Sequence, residues 1–234
     1  MKIFNSDILI KKTSCNCADL PGHPIPPSVN LFVKVTKGCN AHCAFCSNAG
    51  CQSPTSLFDI EKMIRIIYEL KSKGIIVNRM NITGGEPSVV SPLVVRILDA
   101  IDKEHFDDVH LHLNTNGVTM QAQDLMQHPR WDSISMSLHH YDVNRLSDLY
   151  GCEIPAHLLH FTGVDKQKIN FSCNLIKGYI DNKEEVRKML DLTLDTGIRR
   201  IGFVALMPVN SFCKEHFIDI DDIPFAEIPH VYFT

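Results

Sequence analysis

The chain has 234 residues, 44% of them hydrophobic and 21% charged, an ordinary balance for one globular core. Its formal net charge of −4 supplies no attraction to nucleic acid or to an anionic membrane, so neither is expected as a partner. No apolar run reaches the length of a membrane span, and Met1–Lys12 lacks the apolar stretch of a secretory signal, which places the expected compartment in the cytoplasm.

Residues 1–30 lack periodicity and contain Pro21, Pro24, Pro26 and Pro27, and they read as an extended N-terminal arm. Strands are predicted over 31–36, 79–83, 109–114, 133–138, 170–176 and 200–206. A first helix is predicted over 57–73, with Ser56 and Asp59 at capping-box spacing, Gly74 as its stop, and Ile60, Met63, Ile64, Ile67 and Leu70 as its apolar stripe. A second follows Ser91, takes Pro92 in its first turn and carries Val94, Val95, Leu98 and Ile101. Shorter helices fall near 121–127 and 142–149. Another spans 183–196, capped by Asn182 and stopped at Gly197, with Val186, Met189, Leu190 and Leu194 turned inward. Residues 209–234 read as an irregular C-terminal segment that covers the mouth of the fold or continues into an extension.

Strand followed by helix, repeated, predicts parallel strands with helical crossovers. Parallel strands buried on both faces are usually continuous apolar runs. These alternate instead: Val109, Leu111 and Leu113 oppose His110, His112 and Asn114, and Ile134, Met136 and Leu138 oppose Ser133, Ser135 and Ser137. Phe171, Cys173 and Leu175 likewise oppose Asn170, Ser172 and Asn174. Helices cover the apolar face, so the polar face lines a space that holds water or a ligand. The expected architecture is an α/β fold, an open partial (β/α)6 barrel over residues 31–208.

In a reducing compartment, nine cysteines point to metal or redox chemistry rather than to disulfides. Cys173 lies in an apolar strand and reads as a buried hydrophobe. Cys39, Cys43 and Cys46 form C-x3-C-x2-C directly after the first strand, within Lys37-Gly38-Cys39-Asn40-Ala41-His42-Cys43-Ala44-Phe45-Cys46. Three thiolates in one short loop suit three irons of a cubane and leave the fourth iron open. A four-ligand zinc or ferredoxin site would need a further residue such as Cys51. His42 reads as an exposed loop residue.

This loop resembles that of the radical SAM superfamily, which carries C-x3-C-x-aromatic-C after its first barrel strand. Thr83-Gly84-Gly85-Glu86-Pro87, ending the second strand, resembles the superfamily's GGE segment. The resemblance implies a [4Fe–4S] cluster on Cys39, Cys43 and Cys46 that chelates S-adenosylmethionine (SAM), cleaves it reductively to a 5′-deoxyadenosyl radical and so abstracts a substrate hydrogen. It places Phe45 near the adenine, and Gly84, Gly85 and Glu86 at the methionine ammonium, where glycines allow close approach and an acid pairs with the charge. It further assigns Asn114, in Asn114-Thr115-Asn116-Gly117, and the inward Ser135 and Ser137 to SAM. Asn174 is assigned to the ribose, and Leu206, in Val204–Pro208, to the adenine. An electron donor such as flavodoxin or ferredoxin is implied.

Several residues remain candidates. Cys213 follows the last strand and is a hydrogen donor, an auxiliary-cluster ligand or an inert thiol. Cys15 and Cys17 form C-x-C in the arm. His139 and Lys177 line the substrate side or are solvated strand ends. The substrate expected from the superfamily's range is a ribosomally made peptide, with Asp219–Asp222 assisting, or a small molecule. A glycyl-radical activase and a non-catalytic iron–sulfur carrier are the alternatives.

Overall fold

A computed structural model of the chain describes residues 2–3, 6–7, 27–48 and 58–228. Cys15, Cys17, Pro21, Pro24, Pro26, Cys51 and Ser56 lie outside the described residues. Two short strands, β1 (Lys2–Ile3) and β2 (Ser6–Asp7), pair antiparallel. The main sheet has six strands, β3 (Ser28–Lys34), β4 (Ile76–Thr83), β5 (His110–Thr115), β6 (Ser133–Ser137), β7 (Ile169–Leu175) and β8 (Ile201–Ala205), in sequential order. Every neighbouring pair is parallel. The helices α1 (Ile60–Ser72), α2 (Ser91–Lys103), α3 (Met120–Met126), α4 (Val143–Tyr150), α5 (Lys183–Asp195) and α6 (Ser211–Glu215) each follow one strand. β3 and β8 remain as edges, so the fold is the expected α/β half-barrel, open on one side.

The alternation read in the strands decides which face is covered. Met80, Ile82, Leu111, Leu113, Ile134, Met136, Phe171 and Cys173 are fully buried against Ile67, Ile97, Leu98, Ile101 and Met189 of the helices. Each such large apolar side chain contributes about 1.5–3 kcal/mol. The opposite face carries Asn81, His112, Asn114, Ser135, Asn170, Ser172 and Asn174, so the inner face of the half-barrel is lined by polar side chains.

Element ends differ from the sequence reading for local reasons. β3 begins at Ser28 and β4 at Ile76, because Ser28–Asn30 extend the parallel ladder past an irregularity between Val29 and Asn30. The polar Asn30 and Asn78 hid this extension. α1 begins at Ile60; Asp59 is itself the extended N-cap and accepts from the Lys62 amide at 2.9 Å. In α2 Val95 is exposed and Ile97 is buried in its place. In α5 Leu194 is 61% exposed while Thr193 is buried, its hydroxyl donating to the Met189 carbonyl at 2.7 Å. That bond lets a polar residue continue the Val186–Met189 stripe. Over residues 209–228 of the C-terminal segment, α6 is followed by short 3-10 turns at Ile220–Asp222 and Phe225–Glu227, and Ile223, Phe225 and Ile228 are buried.

Trp131 fixes the entry to β6. It is wholly buried, and its indole N–H donates to the Leu125 carbonyl at 2.8 Å. Trp131→Ala is expected to lower the unfolding free energy by about 3–5 kcal/mol, read as a fall in urea midpoint with unchanged slope.

Candidate active site

The cysteine loop follows β3 and has no helix or strand of its own over Cys39–Asn48. Its shape is set from outside. On one flank the β3–β4 ladder continues into it: the Val35 amide donates to Thr83 O at 2.9 Å, the Gly85 amide to Thr36 O at 2.9 Å and the Glu86 amide to Gly38 O at 2.8 Å. A Cβ on Gly84 would lie 2.7 Å from the Thr36 carbonyl, and one on Gly85 would penetrate the Gly38 carbonyl. The glycines therefore admit the close approach of the cysteine loop.

Three further supports come from the other strand ends. After β5, Asn116 Nδ2 donates to Asn40 Oδ1 at 2.9 Å and lies 4.0 Å from Cys39 Sγ. After β6, the last carbonyls of α4 accept from the loop, Tyr150 O from the His42 amide at 2.7 Å and Leu149 O from the Ala44 amide at 3.1 Å. α4 ends there at Gly151, whose positive φ of 60° forms the left-handed cap. After β8, Asn210 Nδ2 donates to Ala44 O at 3.1 Å and the buried Cys213 thiol donates to Phe45 O at 3.5 Å.

The donor set fits an iron–sulfur cluster. Burial, and then the nearby Cys39, Cys46 and Cys152, push the Cys43 thiol up to about 12. Crowded thiolates need cationic metal beside them, which irons supply. Backbone amides already point at sulfur, Ala41 N at Cys39 Sγ (3.4 Å) and Asn48 N at Cys46 Sγ (3.3 Å); such bonds tune clusters. Among the described residues no three Cys, His, Asp or Glu side chains converge on a single metal ion. A cubane instead takes each thiolate on a separate iron.

Glu86 is buried and bridges β4 to β5. Its Oε1 accepts from the Ser88 amide at 3.0 Å and the Thr115 hydroxyl at 2.7 Å, and its Oε2 from the Asn116 amide at 2.7 Å. Burial raises its pKa, and these donors oppose the rise. A carboxylate has about four acceptor positions, so an ammonium group would be its fourth partner.

His139, read as a lumen or strand-end residue, is buried beneath the loop. Its ring lies edge-on to Phe45 with centroids 4.7 Å apart, and its Nδ1 accepts the Asn174 amide at 3.0 Å. The proton is thereby fixed on Nε2, and burial lowers the pKa to about 3. Tyr150 completes the packing, its ring 5.7 Å from His139 and its hydroxyl donating to Ser137 O at 2.8 Å. Lys177 is exposed and its amide bonds His216 O at 2.9 Å. His42 is exposed, as read.

The register aligns Asn114 with Ser135 and Ser135 with Asn170, and then Ser137 with Ser172 and Asn174 with Val204. Phe45 is half-buried and Leu206 is buried at the top of β8. Sequence reasoning missed Thr36, Thr115, Tyr150 and Asn210, which act on the loop through backbone or on Glu86. Of these, Thr115 stood within the Asn114–Gly117 motif, but no spacing revealed its bond to Glu86.

Residues 33–211 match the family model of the Radical SAM superfamily. The chain belongs to this superfamily. A [4Fe–4S] cluster and SAM are the superfamily's cofactors, and the cysteine loop fits the first. A protein of Saccharolobus solfataricus named "Probable GTP 3′,8-cyclase" is 26% identical over 204 residues, covering 84% of this chain and 63% of that protein. Streptococcus suis SuiB bound to SAM superposes with a TM-score of 0.60 at 18% identity, covering 81% of this chain and 43% of SuiB. SuiB bound to precursor peptide SuiA gives the same TM-score, 0.60. The chain thus spans less than two thirds of these proteins. No helix among the described residues is long and apolar enough to cross a membrane.

Two outcomes are expected. Gly85→Ala forces the GGE segment off the cysteine loop; overpacking of this kind costs about 1–3 kcal/mol, and iron and sulfide bound per chain after anaerobic reconstitution should fall. His139, neutral when folded, ordinarily titrates at 6.5. The unfolded chain therefore binds more protons below that pH, and stability is lost as pH falls from 6.5 toward 3. In His139→Gln this acid loss should be shallower by up to about 1.4 kcal/mol per pH unit, measured by urea titration of the cluster-free chain.

Proposed function

We propose that this chain abstracts a hydrogen atom from a substrate held inside the half-barrel, with Cys39, Cys43 and Cys46 holding the cluster. The observation that carries this reading is convergence: the cysteine loop, the Thr83–Pro87 segment and the polar inner face meet at the C-terminal ends of the same strands, where α/β barrels place their chemistry. When bound, the cluster and SAM supply a 5′-deoxyadenosyl radical. Gly84, Gly85 and Glu86 orient the methionine ammonium. Asn114, Ser135, Ser137 and Asn174 offer polar groups along the inner face, and Phe45 and Leu206 flank the adenine. Cys213 and Asn210 hold the loop by its carbonyls. Helices behind the sheet exclude water from its covered side. A flavodoxin or ferredoxin is the electron donor.

The polar inner face and the relative's printed name support a small-molecule substrate. A second reading, a peptide substrate, rests on the open side of the barrel, where the inward-facing Phe32 of β3 and Val204 of β8 are 76% and 50% exposed. Either edge would accept an extended chain.

Reconstituted anaerobically and reduced with dithionite, the protein is expected to convert SAM to 5′-deoxyadenosine, and Cys43→Ala is expected to abolish the product. A well-formed cluster that binds no SAM in calorimetry would sink the reading.

A further inference from the structure

Deeper in the half-barrel, below the ligand positions already described, lies a second polar group. Arg79 sits four residues before the end of β4, about 13 Å down the strand. Its Nη2 lies 3.0 Å from Ser133 Oγ and 3.1 Å from His112 Nδ1. Ser133 Oγ is also 2.7 Å from His110 Nε2 and 2.7 Å from His112 Nδ1. One hydroxyl serves three nitrogens when Arg79 and His110 donate to it and it donates to His112 Nδ1. The His112 proton then sits on Nε2.

All of these acceptors are neutral. Burial first, and Arg79 next, lower the His112 pKa to about 4, and the His110 pKa is lowered as well. Neither ring adds charge at neutral pH, and neither offsets the guanidinium. The sequences of β4, β5, β6 and β7 contain no aspartate or glutamate. Asp132, directly before β6, accepts from the Leu111 amide at 2.7 Å and pairs with Arg130. Among the described residues Arg79 forms no ion pair, and its Nε is buried without an acceptor. A half-buried guanidinium with a donor to spare and no counter-charge is costly unless an anion completes it.

We propose that Arg79, aligned by Ser133, His110 and His112, is the anchor for an oxyanion of the substrate, a carboxylate or a phosphate, at the floor of the half-barrel. This rests on the reading that the substrate enters the half-barrel, and it makes that substrate a small anionic molecule. Anchored at the floor, the molecule extends along the polar face and presents its far end to the strand termini. The planar guanidinium suits a two-oxygen contact, which a lysine would not reproduce.

The test is calorimetric titration of the cluster-loaded, SAM-bound protein with inorganic phosphate and, separately, with succinate. The expected result is saturable binding of at least one, weakened by about tenfold or more in Arg79→Gln and partly restored in Arg79→Lys. A tighter phosphate arm assigns a phosphate-bearing substrate, and a tighter succinate arm a carboxylate. Equal binding in wild type and Arg79→Gln, or binding of neither probe, overturns the proposal, provided that thermal melting shows Arg79→Gln folded. If it does not fold, His112→Asn takes its place, with the same tenfold criterion, about the loss expected for a displaced charged contact. Production of 5′-deoxyadenosine is scored separately: its absence with Arg79-dependent binding intact counts against the radical reading and for the anion site, and the reverse result counts against the anion site alone.

Discussion

The cysteine loop cannot hold its own shape. It has no repeating backbone hydrogen bonds, and three thiols crowd within it. Its geometry is borrowed from the ends of β4, β5, α4 and α6, each of which contributes one to three hydrogen bonds to a different part of the loop or its entry. The parallel, sequential sheet makes this possible, because it brings the ends of all its strands to one rim. A loop fixed this way keeps its thiolates spaced for irons without secondary structure that would consume the same amides.

The inner and outer faces of the sheet answer to different rules. Outside, apolar residues meet helices and dispersion sets the spacing. Inside, polar residues outnumber apolar ones, and their histidines are held neutral by burial and by fixed donors such as the Asn174 amide. A neutral ring presents a defined donor and acceptor without adding to the cost of buried charge. Glu86 follows the same logic: three donors surround a carboxylate that burial would otherwise disfavour.

Much of this was legible in the sequence. The two-residue alternation in the strands gave the number and order of barrel strands and named their inner faces. The cysteine loop and the Thr83–Pro87 motif, both conspicuous in the sequence, lie side by side at one rim of the sheet. What the sequence hid were contacts made through backbone. Tyr150 and Leu149 support the loop with main-chain carbonyls, and no side-chain pattern marks a carbonyl. Gly85 was conspicuous, yet its neighbour is Gly38, far away in sequence. Thr193 reads as polar, and only its bond to Met189 makes it a core residue. Leu194 reads as core, and the phase of α5 turns it outward.

The order in which the supports appear along the chain has a consequence for synthesis. The cysteines emerge from the ribosome early, on the first barrel strand. The clamp from Asn210 to Ala44 spans 166 residues, and that from Cys213 to Phe45 spans 168. Until β8 and α6 have been synthesised, the thiols are therefore present without the last element that shapes them. A chain that ended before β8 would present the three cysteines without these two clamps. The fold thus places the last supports of the loop at the far end of the barrel from the loop itself in chain order.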